Sequence, residues 1–96
     1  MDLRFEWDET KNESNHSKHN IWFEEATKVF ADPNLRVFFD AAHSGEKEDR
    51  YLALGYSEEN RLLMVSHAYK KNDEVVRIIS ARKATRKERS YYEKGI

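Results

Sequence analysis

The stretch from Val75 to Lys87 carries the residue types and spacing that point most directly to chemistry. Arg77 interrupts a run of Val and Ile, and Arg82 and Lys83 follow where that run ends. A guanidinium group can bind two phosphate oxygens at once and stays charged near neutral pH, so it also stabilises charge that develops in phosphoryl transfer. The pattern predicts either an anion site at a strand end or a strand with solvated arginines, and the stretch alone favours neither.

His67 is a candidate general base, because it lies in an alternating apolar segment next to the strand that bears Arg77. Its neighbours depend on the hairpin. A three-residue loop pairs His67 with Arg77, whereas a two- or four-residue loop pairs it with Ile78. In the second register the side chain of His67 lies on the same face as Ser80 and Arg82. Either Arg77 or Arg82 can therefore be its neighbour. The alternative is a core histidine satisfied by one hydrogen bond, and the sequence leaves both interpretations open.

The other clusters of polar residues give weaker signals. Glu48 and Arg50 open a predicted strand, and their simplest role is a charged edge that discourages pairing with another sheet. No P-loop, Rossmann glycine pattern or HExxH helix is present, so we expect no nucleotide cofactor. His16 and His19 are spaced to face one metal ion, but no third ligand is implied and the chain has no cysteine. We therefore expect neither a metal nor another cofactor.

Composition indicates a single small domain over residues 1–96. Of these residues 39% are hydrophobic, and five Phe, five Tyr and two Trp can fill a core. Charge is divided unevenly: residues 1–60 hold 7 Lys and Arg against 14 Asp and Glu, whereas residues 61–96 hold 10 against 4. The basic C-terminal part suits a polyanion or an acidic protein partner, although a solvated surface is the commonest reason for a charge run.

The sequence shows no targeting signal. Its first residues lack the pattern of a signal peptide, and no apolar run approaches the roughly 20 residues of a membrane span. The absence of cysteine fits a reducing compartment. We therefore expect a cytoplasmic protein that has no membrane partner.

Periodicity predicts one strand and two helices in the N-terminal third. Residues 3–7 alternate apolar and charged side chains, as in a short half-buried strand. Asp8 can cap the weak, polar helix that follows, and Asn20 is a candidate left-handed terminus. A second, amphipathic helix is predicted from Phe23 to Phe30, and Pro33 prevents its continuation.

Four strands and a third helix are predicted in the rest of the chain. Short polar connections separate the apolar segments, which is typical of consecutive hairpins. The predicted strands are Leu35 to Ala41, Arg50 to Tyr56, Arg61 to Tyr69 and the strand that begins at Val75, and the last helix runs from Ala84 to Glu93. The result is an α+β fold in the order strand, helix, helix, four-stranded antiparallel meander and C-terminal helix, with the helices on one face of the sheet.

Four blocks of this sequence follow one another in this order: FEWDETKN, NHSKHNIWFEEATKVFADP, HSGEKEDRYLALG and RIISARKATRKERSYYE. Taken together, they resemble the BrnT family of type II toxins. The resemblance covers nearly the whole chain. It implies a RelE-like fold, a ribonuclease activity that inhibits translation, and neutralisation by a cognate, BrnA-like DNA-binding antitoxin encoded by the adjacent gene. It also implies six motif positions: Lys18, His19, Glu48, Arg50, Arg77 and Arg82.

The resulting hypothesis is a metal-independent endoribonuclease, in which the 2'-hydroxyl of RNA attacks the adjacent phosphate. Arg77 and Arg82 neutralise the phosphate, and His67, or else Glu48, transfers the proton. Two further cations assist electrostatically: Lys18 and Arg50. The residues expected to bind RNA are His19, Lys83, Arg86 and Lys87. The alternative is a non-catalytic nucleic-acid- or protein-binding module, in which the same basic half docks a partner.

Overall fold

A five-stranded mixed sheet lies at the centre of the computed structural model, which describes residues 3–45 and 47–95. The strands are β1 (Arg4–Glu6), β2 (Arg36–Phe39), β3 (Tyr51–Tyr56), β4 (Leu62–Lys70) and β5 (Val75–Lys83). They lie in the order β1-β5-β4-β3-β2, with β1 parallel to β5 and the other neighbours antiparallel. The helices are α1 (Glu9–His19), α2 (Phe23–Ala26) and α3 (Arg86–Lys94). The predicted α+β class is confirmed.

Capping residues set the ends of α1 and α3. The Asp8 carboxylate accepts hydrogen bonds from two backbone N–H groups in the first turn of α1, and Asn20 ends that helix in the left-handed conformation at φ 60°. Both predictions are confirmed. Thr85 and Glu88 form a reciprocal capping box, so α3 begins at Arg86, two residues later than predicted.

Two predicted elements are shorter in the structure. The helix predicted from Phe23 to Phe30 is α-helical only as far as Ala26, and a 3-10 turn follows over Thr27–Ala31. Strand β2 ends at Phe39 because the chain turns into a second 3-10 segment at Ala41–His43. Within the described residues, no helix combines the length and apolar character that crossing a membrane requires.

Two buried asparagines attach helix α1 to its neighbours, Asn15 to the sheet and Asn12 to α2. Asn15 Nδ2 donates to the carbonyls of Ile21 and Ala81, at 2.9 Å each, and its Oδ1 accepts from Ala81 N at 3.0 Å. Asn12 Oδ1 accepts from Phe23 N at 2.7 Å. Hydrogen bonds therefore replace the apolar stripe that this polar helix lacks.

The two faces of the sheet have different coverings. On the helix-covered face, side chains of β4 and β5 pack with residues of α2 and its flanking segments: Val65, Val76, Ile78 and Ala81 with Ile21, Phe23, Ala26 and Val29. We call the opposite side the arginine face, and β4 and β5 contribute to it Ser66, Ala68, Arg77, Ser80 and Arg82. Helix α3 packs on one end of the arginine face, where Tyr92 contacts a cluster formed by Leu54, Leu62 and Met64. The expectation that all helices cover one face is therefore wrong for α3.

A β-bulge decides which side chains share a face. The turn at residues 71–74 contains four residues, so Lys70 pairs with Val75 and His67 pairs with Ile78. The register then shifts, because Ser66 pairs with Ser80 and Ile79 is the extra residue. Ser80 and Arg82 consequently lie on the face opposite to His67. The sequence predicted that either Arg77 or Arg82 shares a face with His67, and this expectation is wrong for both arginines.

Candidate active site

Three neighbouring elements bring cationic side chains together on the arginine face. Arg77 of β5 pairs with Ala68 of β4, and Arg50 directly precedes Tyr51, which pairs with His67. Because side chains alternate along a strand, Arg50 extends to the face opposite to Tyr51, which is the face of Ala68 and Arg77. Ala68, the residue between Arg50 and Arg77 across the sheet, is small and buried, so no large side chain separates the two arginines there.

Each of these cations has a carboxylate partner. Arg77 Nη1 donates to Glu6 Oε2 at 3.0 Å, across the parallel pair β1 and β5. Glu48 Oε1 accepts from Lys70 Nζ at 2.6 Å, and its Oε2 lies 3.5 Å from Arg50 Nε. The hydrogen bond from Lys70, supported by the charge of Arg50, holds the pKa of the Glu48 carboxyl below its usual value. Glu48 is therefore a weak proton acceptor that positions the two cations.

Arg82 lies farther along the same face and connects the sheet to α3. Its Nη1 and Nη2 donate to the two oxygens of Glu88 at 2.8 and 2.9 Å. This bidentate contact lowers the pKa of the Glu88 carboxyl to about 2. Since Glu88 is also part of the capping box, Arg82 fixes the start of α3 at the edge of the arginine face.

His67 lies in the core and is completely buried. Its Nδ1 donates to the Val65 carbonyl at 3.1 Å, and its Nε2 accepts from the Tyr69 hydroxyl at 3.1 Å. Its ring packs edge-on against Phe30 with centroids 4.9 Å apart, and burial lowers the pKa of His67. Of the two interpretations that the sequence left open, the structure favours the hydrogen-bonded core histidine.

The remaining predicted residues fall into two groups. Lys18 and His19 end α1, which contacts β5 through Asn15 on the helix-covered face, so the structure does not bring them to Arg50 and Arg77. The second group is exposed at the junction of β5 and α3: Lys83, Arg86 and Lys87. Of these three, Arg86 and Lys87 begin α3 beyond Arg82, whereas Lys83 pairs with Leu63 and therefore extends to the helix-covered face.

Comparison with known proteins gives the family. Residues 7–88 match the family described as "Ribonuclease toxin, BrnT, of type II toxin-antitoxin system". The chain belongs to the BrnT family. Its members are thus ribonuclease toxins, and the resemblance inferred from the sequence is confirmed. No curated protein matches the chain.

A solved member of the BrnT family has a similar fold. The crystal structure of the Brucella abortus ribonuclease toxin BrnT superposes with a TM-score of 0.65 at 22% sequence identity. The match covers 88% of this chain and 100% of that chain. At this identity the likeness establishes the shared fold.

Sequence reasoning missed two features of this BrnT-family site. Lys70 ends β4 on the same face as Ala68, and the alternation along β4 was sufficient to find it. The second is a pair in the loop after β2, where His43 Nδ1 lies 2.9 Å from Asp40 Oδ2. Three-residue spacing in a short turn was its only signal, since no periodic pattern covers a loop.

Proposed function

We propose that this chain is a metal-independent endoribonuclease of RelE-like fold, which cleaves RNA by attack of the 2'-hydroxyl on the adjacent phosphate. The observation that carries the proposal is the row formed by Arg50, Ala68 and Arg77 on three neighbouring elements. Guanidinium groups on both sides of a methyl group can bind the two non-bridging oxygens of one phosphodiester. They then stabilise the extra negative charge of the transition state without moving.

The carboxylate partners of these cations do not prevent RNA binding. Arg77 and Glu6 are 35% and 41% exposed, and exposed ion pairs contribute only about 0–1 kcal/mol. A phosphate offers the same oxygen geometry with more charge, so it can replace Glu6 at small cost. Glu6 and Glu48 orient Arg77 and Arg50 before substrate binds.

The other cations have supporting roles in this proposal. Both terminal nitrogens of Arg82 donate to Glu88, so this arginine adds positive potential and holds α3 in place. Direct phosphate binding is left to Arg77 and Arg50. The exposed cations beyond it contact the RNA backbone without reading its sequence: Lys83, Arg86 and Lys87. Lys18 and His19 lie away from the reacting phosphate and take part only in outer RNA contacts.

Neutralisation by an antitoxin follows from the same surface. We propose that a BrnA-like, DNA-binding antitoxin encoded by the adjacent gene covers the arginine face and excludes RNA. The description of the family as toxins of type II toxin-antitoxin systems supports a protein partner of this kind. An enzyme that inhibits translation acts in the cytoplasm, which is the location we propose for this chain.

The test is cleavage of a labelled RNA oligonucleotide of mixed sequence in the presence of EDTA. We expect cleavage by the wild-type chain, none of the matching DNA oligonucleotide, and a loss of about 10²-fold in Arg77→Ala, the usual cost of one donor to a developing charge. Lys28→Ala is the matched control, because it removes one exposed positive charge from the 3-10 turn after α2.

The alternative function predicts a different result. A non-catalytic module would bind the RNA oligonucleotide and leave it intact, both free and when presented on translating ribosomes. A requirement for added Mg²⁺ would contradict metal independence, and equal losses in Arg77→Ala and Lys28→Ala would remove the arginine face from the mechanism.

A further inference from the structure

The loop after β2 places a histidine–carboxylate pair beside Arg50. His43 Nδ1 lies 2.9 Å from Asp40 Oδ2, and the His43 side chain is 67% exposed whereas that of Asp40 is 12% exposed. Together with Gly45, Lys47 and the Glu48–Arg50 pair, His43 lines one shallow hollow. An exposed imidazole therefore adjoins Arg50, one of the two cations that we assign to the phosphate.

Backbone contacts fix this pair relative to Arg50. Asp40 N donates to the Arg50 carbonyl at 2.8 Å. Ser44 Oγ accepts from Arg50 N at 2.9 Å and donates to the Asp40 carbonyl at 2.8 Å. His43 lies between these two anchors, so its distance from Arg50 is set by the fold and does not depend on an unattached loop.

The contact with Asp40 also sets the tautomer of His43. An ionised carboxylate can only accept, so Nδ1 carries the proton and donates it to Asp40. In the neutral ring, Nε2 then has a lone pair on the exposed side. The charged groups around it are Asp40 on its own turn, and Lys47, Glu48 and Arg50 across the hollow.

The other candidates for proton transfer are engaged elsewhere. Both Glu48 oxygens face cations, and His67 is sealed in the core on the opposite face. His16 stacks on Trp22 with ring centroids 3.8 Å apart, and His19 follows it at the end of α1. Of the four histidines of the chain, His43 is the one that lines a hollow with Arg50.

We propose that His43 is the general base of RNA cleavage and that Asp40 is its positioning residue, an inference that rests on the proposed ribonuclease function. The proton of the 2'-hydroxyl passes to His43 Nε2, O2' bonds to phosphorus, and the bond from phosphorus to O5' breaks. Water protonates the departing 5'-oxygen, and the products are a 2',3'-cyclic phosphate and a 5'-hydroxyl. The imidazolium that forms is stabilised by Asp40.

The test is single-turnover cleavage of the mixed-sequence RNA oligonucleotide between pH 5 and 8. We expect His43→Gln to lower the rate by about 10²–10⁴-fold, with RNA affinity and melting temperature unchanged, and to abolish the decline in rate on the acid side. Asp40→Asn should lower the single-turnover rate constant by a smaller factor at unchanged RNA affinity, because the tautomer of His43 is no longer fixed. His16→Gln is the control substitution.

The outcomes separate this inference from the proposed function. If wild type cleaves and Arg77→Ala does not, while His43→Gln keeps the wild-type rate and pH profile, the ribonuclease proposal stands and the role of His43 is refuted. A loss in His43→Gln that RNA affinity fully accounts for also refutes it. If wild type cleaves neither free nor ribosome-bound RNA, both proposals fail together.

Discussion

Replacing His67 by glutamine tests whether this residue serves stability or catalysis. His67→Gln keeps a polar side chain but removes an aromatic ring that is packed edge-on against Phe30. One amide cannot reproduce the geometry of both ring nitrogens, so either the Val65 carbonyl or the Tyr69 hydroxyl loses its partner. The substitution therefore destabilises the core without touching the arginine face.

The size of this effect follows from the contacts. An edge-on aromatic pair contributes about 0.5–1.5 kcal/mol, and a buried polar group left without a partner costs about 1–3 kcal/mol. Together they predict that the free energy of unfolding falls by about 2–4 kcal/mol. In a domain of this size, 1 kcal/mol corresponds to about 4–8 °C in melting temperature, so the expected decrease is at least about 8 °C.

The pH dependence of stability gives a second signature. Burial lowers the pKa of His67 below the value of 6.5 that it regains on unfolding. As the pH falls below 6.5, the unfolded chain takes up a proton that the folded chain resists, and stability decreases. His67→Gln should lose this component, so its stability should change less with pH between 6.5 and the lowered folded pKa.

The assay is urea unfolding at several pH values, combined with single-turnover cleavage below the melting temperature of the variant. His19→Gln, which changes an exposed histidine, should shift stability by less than about 0.5 kcal/mol. Normal stability together with lost cleavage in His67→Gln would refute the core interpretation and return His67 to the mechanism.

Three further outcomes follow from other contacts. Asn15→Leu should lower the free energy of unfolding by about 2–4 kcal/mol in urea, because backbone groups of Ile21 and Ala81 lose their buried partner. Glu88→Gln should flatten the acid loss of stability, because the Glu88 carboxylate contributes stability above pH 4.5 that is lost as the pH falls towards about 2. The third variant changes three cations to Gln: Lys83, Arg86 and Lys87. It should weaken RNA binding across unrelated sequences and reduce the slope of log affinity against log salt by about 2.

Each outcome has a matched control. Ser14→Ala changes an exposed neighbour of Asn15, and Glu93→Gln removes an exposed acid from α3. The control for RNA binding is a triple change to Gln of exposed lysines elsewhere: Lys11, Lys28 and Lys94. A test variant that behaves like its control would count against the contact concerned.

Local signals in the sequence account for most of the secondary structure. Asp8, Asn20 and Thr85 act at helix ends through hydrogen bonds within one turn, so their effect is readable from a few residues. The strands follow the period-two alternation that one buried face requires. The sequence did not predict the parallel pairing of β1 with β5, because that contact joins residues about 70 positions apart.

The attachment of α1 shows why a polar helix is hard to interpret from sequence. Asn12 and Asn15 are three positions apart and both are buried, but asparagine more often lies at the surface. Their partners, Phe23 N in α2 for Asn12 and Ala81 N in β5 for Asn15, are in place only once α1 packs against those elements. The spacing of two asparagines on one helical face was the available signal, and it carries no information about those distant partners.

The bulge at Ile79 explains both the wrong expectation about which arginine neighbours His67 and the position of Arg82 on the arginine face. Arg77 and Arg82 are five positions apart, and in a regular strand an odd separation sends two side chains to opposite faces. Without the extra residue, Arg82 would pair with Leu63 and enter the core, where an unpaired charge costs several kcal/mol. The chain can therefore place both arginines on one solvent-accessible face only by interrupting the ladder between them. Odd spacing of two charged residues within one predicted strand is itself a signal for a bulge, and bulges are over-represented next to active sites.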